Sequence, residues 1–369
     1  MIKAKIVADS KNQQGNRITT MLVTFPRFIL AELNTHRMLS KNSASSRAIP
    51  FKKMVESVQN NPFIPIAWQK EHKGMQGTEY WTIDDKVRID IGNENEYRED
   101  IQPITEEFRI RWLEARDNAV NVARGLTNLG LTKQLANRLL EPFMWHTVLI
   151  TSTEWENFFS LRCPQYKSHK GQTYRSWKDL IKDSTFLVAE ELKLYTQIEK
   201  LENNKGQAEI HMMALAEAMW DAMNESTPKE LKAGEWHIPF EDKIDLIDWL
   251  DTVNNDGHLD NDLDEQDRLF AIDKVKISTA MAARTSYTVV GDEKEFSYEK
   301  QIELHDRMVN QVPFHASPFE HAARCMSDDE YESYIRGKDK YTEPNKDIQG
   351  WCRNYRGFIQ YREILENNK

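Results

Sequence analysis

The chain has 369 residues, 40% of them hydrophobic and 29% charged, with a formal net charge of −10. That length can bury a large core, in one elaborated domain or two. The acidic balance excludes a global basic field that would draw in nucleic acid, though not a local basic pocket. The three cysteines, Cys163, Cys325 and Cys352, show no CxxC spacing. They argue against a disulfide framework or a structural zinc site and fit a reducing cytoplasm. MIKAKIVADS at the start lacks the apolar stretch of a signal peptide, and no run reaches the length of a membrane span. A soluble cytoplasmic protein is expected.

In chain order, IKAKIVA and ITTMLVTF read as two β-branched strands around the polar turn SKNQQGN. PRFILAELNTHR then turns helical, with Pro26 in its first turn and Phe28, Leu30 and Leu33 offered to a core. Residues 50–100 are punctuated by Pro, Gly and charge and read as irregular. A long helix is expected from Pro103, with Phe108, Trp112, Ala115, Ala119, Val122 and Leu126 on its apolar face and Gly130 at its end. Thr132 suits the cap of a second helix, KQLANRLLEP, closed by Pro142. HTVLITS reads as a strand and EWENFFSLR as a helix, which places Asn157 and Arg162 just past a strand's C-terminal end. Residues 163–184 read as a polar insertion, and 176–201 as one or two helices. From Gln207 a helix carries the stripe Ala208, Met212, Leu215, Ala216, Met219 and Met223, suited to a core or a subunit interface. Residues 224–270 are acidic and Asn/Asp-rich. A calcium loop there fails, because Thr252 stands where an acid is required, and a solvated insertion is expected. VKISTAMAARTSY is a strand or a helix entering a turn, and YEKQIELHDRMVNQV is a helix leading into HASPFEH. No repeat of solenoid period is visible.

The stretch Thr35–Arg47, THRMLSKNSASSR, gathers His36 and two arginines around a run of hydroxyl and amide side chains. Arginine forks match phosphate oxygens, and serine hydroxyls with backbone N–H groups complete a cradle for a multi-oxygen anion. The plain alternative is a solvated polar loop. HASPFEH (315–321) weighs against it.

These residues resemble the flavin-dependent thymidylate synthase family, whose signature is R-H-R-x-x-S-x-N-E-x-S-x-R. His36, Arg37, Ser40, Asn42, Ser45 and Arg47 match; Thr35 and Ser43 replace its Arg and Glu. AARTSY (282–287), HASPFEH, ANRLLEP with Arg138, NFFSLR (157–162) and GQAEI (206–210) resemble the family's other pieces. Their order differs: the family's HxSPFEH precedes its RHR motif, as if this chain were circularly permuted or a long variant.

The resemblance implies an α+β fold, a mixed β-sheet flanked by helices. The chain 1–369 would be one catalytic domain with insertions at 163–204 and 224–270, and the assembly a homotetramer sharing its active sites. It implies transfer of a one-carbon unit from methylenetetrahydrofolate to C5 of dUMP, with FAD as cofactor and NADPH as reductant. His36, Arg37, Asn157, Ser286, His315, Ser317 and Glu320 would line the FAD site. Glu32, Ser43, Ser45, Ser46, Arg47 and Arg138 would hold the nucleotide. Arg162 would face the pyrimidine and, with His36, serve catalysis, and no metal is implied. Glu32, in place of a base-contacting Gln, and Ser43 leave open another pyrimidine nucleotide, such as a cytosine nucleotide, or hydroxymethyl transfer. Alternatively the tail compensates for these departures and for Thr35: RGFIQYR resembles the strand-helix entry that precedes the family motif, which would bring Gln360 and Arg362 back to the site. A non-catalytic nucleotide- or RNA-binding module built on Arg138, Arg162 and the arginine-rich tail is the reading from a different class. The enzyme reading requires the front and back of the chain to share one pocket.

Overall fold

The computed structural model describes all residues except 75–76, 78, 91–98, 203, 205–207, 255–262, 287–296, 336–347 and 368–369. The fold is α+β, built on a mixed five-stranded sheet. Its strands are β1 (Lys3–Asn12), β2 (Arg17–Pro26), β3 (Ser40–Ser43), β4 (Trp145–Ser152) and β5 (Lys229–Leu231). They lie in the order β5-β1-β2-β4-β3, and only the β1–β5 pair is parallel. The β1–β2 turn closes through Gly15 at φ +86°, while the Asn12 carboxamide accepts from the Asn16 N–H at 2.8 Å.

Both faces of the sheet are covered, so β2 and β4 are buried nearly throughout. On one face Met21, Val23, Val148 and Ile150 meet Met212, Leu215, Ala216 and Met219, together with Phe158 and Phe159. These come from two helices, Glu156–Arg162 (α3) and Ile210–Glu225 (α4). The methionine stripe is therefore core in this chain. On the other face Leu22 and Leu149 pack against Phe240 and Ala282. A buried polar line crosses the same face: Ser10, His237, Thr20, Thr151 and His321 bond in sequence at 2.7–2.9 Å. It ties β1, β2 and β4 to Trp236–His237 (β6) and to the C-terminal half. β6 pairs with Ala323–Cys325 (β7), which pairs with Phe358–Gln360 (β8).

Several expectations change. Thr35–Arg47 is not a free loop. Its centre is the edge strand β3, because Ser40 and Asn42 find buried partners that repay their desolvation. The helix from Pro26 shrinks to a 3-10 turn and Leu30–Leu33, leaving His36 and Arg37 beyond it; Phe28 is 43% exposed. The irregular 50–100 begins with a helix, Phe51–Asn60 (α1), whose Met54, Val55 and Val58 pack against Val120 and Ala123 of Ile104–Asn128 (α2). On α2, Val122 faces solvent at 56% exposure. KQLANRLLEP is helical only over Lys133–Ala136 and continues as a 3-10 turn through Pro142. The solvated reading of 224–270 fails for its first half, which supplies β5, β6 and the buried Trp249. The polar 163–184 likewise buries Tyr166, Trp177 and Leu180 against α4. VKISTAMAARTSY resolves as the end of a helix, Leu263–Arg284 (α5), and Tyr298–Val309 (α6) is helical as expected. Gly206, Gln207, Tyr287 and most of NNDGHLDNDLDEQD lie outside the described residues.

Candidate functional site

β3 stands between two groups of site residues. The first lines a cleft of about 800 Å³ formed by Thr35, His36, Arg37, Glu154, Asn157 and Trp351, among others. That volume lies within the range of small-molecule sites. Here α3 follows β4 directly, so Asn157 and Arg162 occupy the strand's C-terminal end as the sequence implies.

His36 is 7% exposed, with its ring edge-on to Phe158 at 5.0 Å. Arg162 Nε donates to His36 Nε2 at 3.0 Å. A guanidinium only donates, so Nε2 accepts and the imidazole is neutral. Burial agrees: with Arg162 and Lys41 nearby, it holds the His36 pKa down at about 4. The other arm of Arg162 pairs with Glu32. Burial raises the Glu32 pKa, Arg162 opposes it and Glu209 adds to it. Lys41 Nζ donates to the His36 carbonyl at 2.7 Å, and burial lowers its pKa to about 8 against the opposing pull of Glu320.

The second group is organised by Asn42, 4% exposed. Its Nδ2 donates to the Ala282 carbonyl at 2.5 Å and to Thr285 Oγ1 at 2.9 Å. Its Oδ1 accepts from Ser317 Oγ at 3.0 Å and Ser286 Oγ at 3.4 Å. The Ser45 N–H adds a bond to the Ser286 carbonyl at 2.8 Å. One amide thus gathers the N-terminal motif, the end of α5 and the HASPFEH turn. Glu320 of that turn binds Arg362 of the tail at 2.7 Å. Gln360 is instead buried in β8 and donates to Asn354 at 2.6 Å.

Ser46, expected among the phosphate contacts, is buried and donates its hydroxyl to Glu141 at 2.5 Å. Glu141 pairs with Arg27 at 3.6 Å. Ser43 is also committed: its Oγ lies 2.7 Å from His146 Nε2, which Arg27 approaches at 3.0 Å. By contrast Arg37, Arg47, Arg138, Asn157 and His315 are exposed. Arg37, Arg47 and Arg138 make no hydrogen bond or ion pair with a described residue, which leaves their donors open to an anion. Arg138 is near enough to Arg27 to lower its pKa, adding to the effect of burial.

Sequence reasoning did not place Lys41, Arg27, Glu141, His146 or Trp351 at the site. The first lies at a variable position of the motif, and the others carry no local signal. Cys163, Cys325 and Cys352 are buried free thiols with burial-raised pKa values, those of Cys325 and Cys352 at about 11, which suits no nucleophile. No group of three His, Cys, Asp or Glu side chains among the described residues could hold a metal ion. No helix among them is long and apolar enough to cross a membrane.

No protein-family model and no curated protein matches the chain. Among solved structures it is similar to a UMP/dUMP methylase, PolB from Streptomyces cacaoi, in structures bound with 5-Br dUMP and 5-Br UMP. Identity is 14% and 15%, with a TM-score of 0.31 in both. The matches cover 52% of this chain and 88% and 87% of that chain. At this degree of likeness the activity has to be argued from the site itself.

Proposed function

We propose that the chain is a flavin-dependent enzyme that adds a one-carbon unit to C5 of a pyrimidine nucleotide, dUMP first among them. The observation that carries this reading is the convergence on Asn42 of residues 244 and 275 positions away in sequence, while Thr35 to Leu39 of the same motif line a cleft of ligand size. These are the same pieces that resemble the flavin-dependent thymidylate synthase signatures.

In this reading His36, Arg37 and Asn157 hold FAD from the cleft side. Ser286 and Ser317 serve it from the Asn42 side, with Glu320 and the exposed His315 at its margin. Bound FAD supplies a hydride, NADPH reduces it, and methylenetetrahydrofolate supplies the carbon. The neutral His36 lines the cleft without adding charge, while Arg37 offers a free fork for an anionic group. Ser45, Arg47 and Arg138 take the nucleotide phosphate; Ser46 and Ser43 fix Glu141 and His146 behind them. Arg162, held by Glu32 and His36, is in this reading the cation that favours an electron-rich pyrimidine ring. The exposed donors Arg37, Arg47, Arg138 and Asn157 suit a site completed by a neighbouring copy, as in a homotetramer.

Titration of the purified protein with FAD, then NADPH under anaerobic conditions, tests the cofactor. The expected result is a bound flavin whose visible absorption bleaches. A protein that takes up no FAD at micromolar concentration refutes the proposal and leaves a nucleotide-binding module.

A further inference from the structure

We infer that Trp351, delivered by the C-terminal hairpin, is the aromatic wall on which the cleft beside His36 seats a planar conjugated ring bearing an anionic arm; this rests on the function proposed above. Trp351 lines the same cleft as His36, Arg37 and Asn157, although it lies more than three hundred positions beyond the first two along the chain. The hairpin that carries it pairs Trp351–Cys352 with Tyr355–Arg356, turning through Arg353 at φ +57°.

Three bonds fix this hairpin to the motif and to β4's exit. Asn354 Nδ2 donates to the Met38 carbonyl at 3.1 Å and to Ser40 Oγ at 3.0 Å. The Arg356 N–H donates to Thr153 Oγ1 at 3.0 Å. The indole is also braced from its own strand pair: the Arg356 guanidinium lies over the ring, 6.0 Å from its centroid, and donates to the Tyr331 hydroxyl at 3.1 Å. A half-buried indole held this firmly offers a rigid flat surface at little entropic cost to a ligand. Arg37, exposed on the same cleft, supplies the cation for the ligand's anionic arm. A flavin and a pyrimidine base share the chemistry of a flat ring with a phosphate arm, and the experiment separates them.

Wild type, W351A and W351F are titrated separately with FAD and with dUMP, following binding by calorimetry and by quenching of protein fluorescence. Stacking on one aromatic side chain predicts that W351A weakens one of the two ligands about 5- to 150-fold. W351F, which keeps a ring, stays within about threefold of wild type but loses part of the ligand-induced quenching. Weakening confined to FAD assigns the seat to the flavin; weakening confined to dUMP assigns it to the base. A W351A protein that binds both as wild type does overturns the inference and leaves the proposed function standing. Equal losses in W351A and W351F also overturn it, because a lost scaffold rather than a lost stacking face would then be the cause. A wild-type protein that binds neither ligand refutes the proposed function and this inference together.

Discussion

Replacing Asn42 with Ala probes the joint between the two ends of the chain. The substitution removes bonds to the Ala282 carbonyl, Thr285 and Ser317 at 2.5–3.0 Å, and a longer one from Ser286. The Ala282 carbonyl keeps the Thr285 hydroxyl at 2.7 Å, so it is not left without a donor. Three well-formed bonds at about 1 kcal/mol each give a loss of ~3 kcal/mol, with the long fourth bond adding little. That corresponds to roughly a hundredfold fall in the folded-to-unfolded ratio. Asn42→Asp is nearly isosteric but loses at least as much, because a carboxylate cannot donate to the Ala282 carbonyl and a buried charge goes unpaired. Urea unfolding followed by circular dichroism measures both. A loss below 0.5 kcal/mol for Asn42→Ala would refute the reasoning, since Asn42 would then not be the fastening point.

Other outcomes follow from the same geometry. Arg162→Ala deletes a charge-assisted pair with Glu32 and the bond to His36, and is expected to weaken dUMP binding about 10- to 100-fold while the protein stays folded; unchanged affinity in calorimetry counts against its place at the base. Burial holds His36 at about 4 and His237 and His321 at about 3, below the ordinary 6.5. With folded values depressed, the stability these rings contribute is complete above about 6.5 and is lost as pH falls toward the folded values. The stability advantage of wild type over His237→Asn therefore narrows on acidification below neutral, and a gap constant with pH contradicts it. Gly357 sits at φ +77°, where an added Cβ would overlap the Asn12 carboxamide that bonds its carbonyl. Gly357→Ala should cost about 2 kcal/mol or more in urea unfolding, and a neutral result would show that the tail does not dock there as described.

What the sequence revealed about this fold depended on the range of the interaction. The strands of the β1–β2 hairpin, β4 and the long helix α2 carry their periodicity locally and are found nearly where expected. The strand β3 was hidden because SKNS has no apolar alternation; it pairs through buried bonds to partners far along the chain, which no local window contains. The 224–270 stretch misled because its acidic residues outweigh the few that matter, notably Leu231, His237 and Trp249, all buried. At the site, the motif marked His36, Asn42 and Ser317, and the structure brings Asn42 and Ser317 into contact. It could not show that Ser43 and Ser46 would be taken up by His146 and Glu141, since those partners are set by tertiary packing. Trp351 escaped for the same reason: only the hairpin's docking onto Met38 and Ser40 turns a tail aromatic into a cleft wall.

The central claim is that this pocket carries a flavin-driven one-carbon transfer to a pyrimidine nucleotide. The most direct measurement is mass analysis of dUMP after incubation with the protein, FAD, NADPH and methylenetetrahydrofolate. The account predicts a nucleotide enlarged by one carbon at C5, formed only when FAD is present. Unaltered dUMP, and unaltered cytosine nucleotide in a parallel reaction, from a protein shown to hold FAD would contradict it.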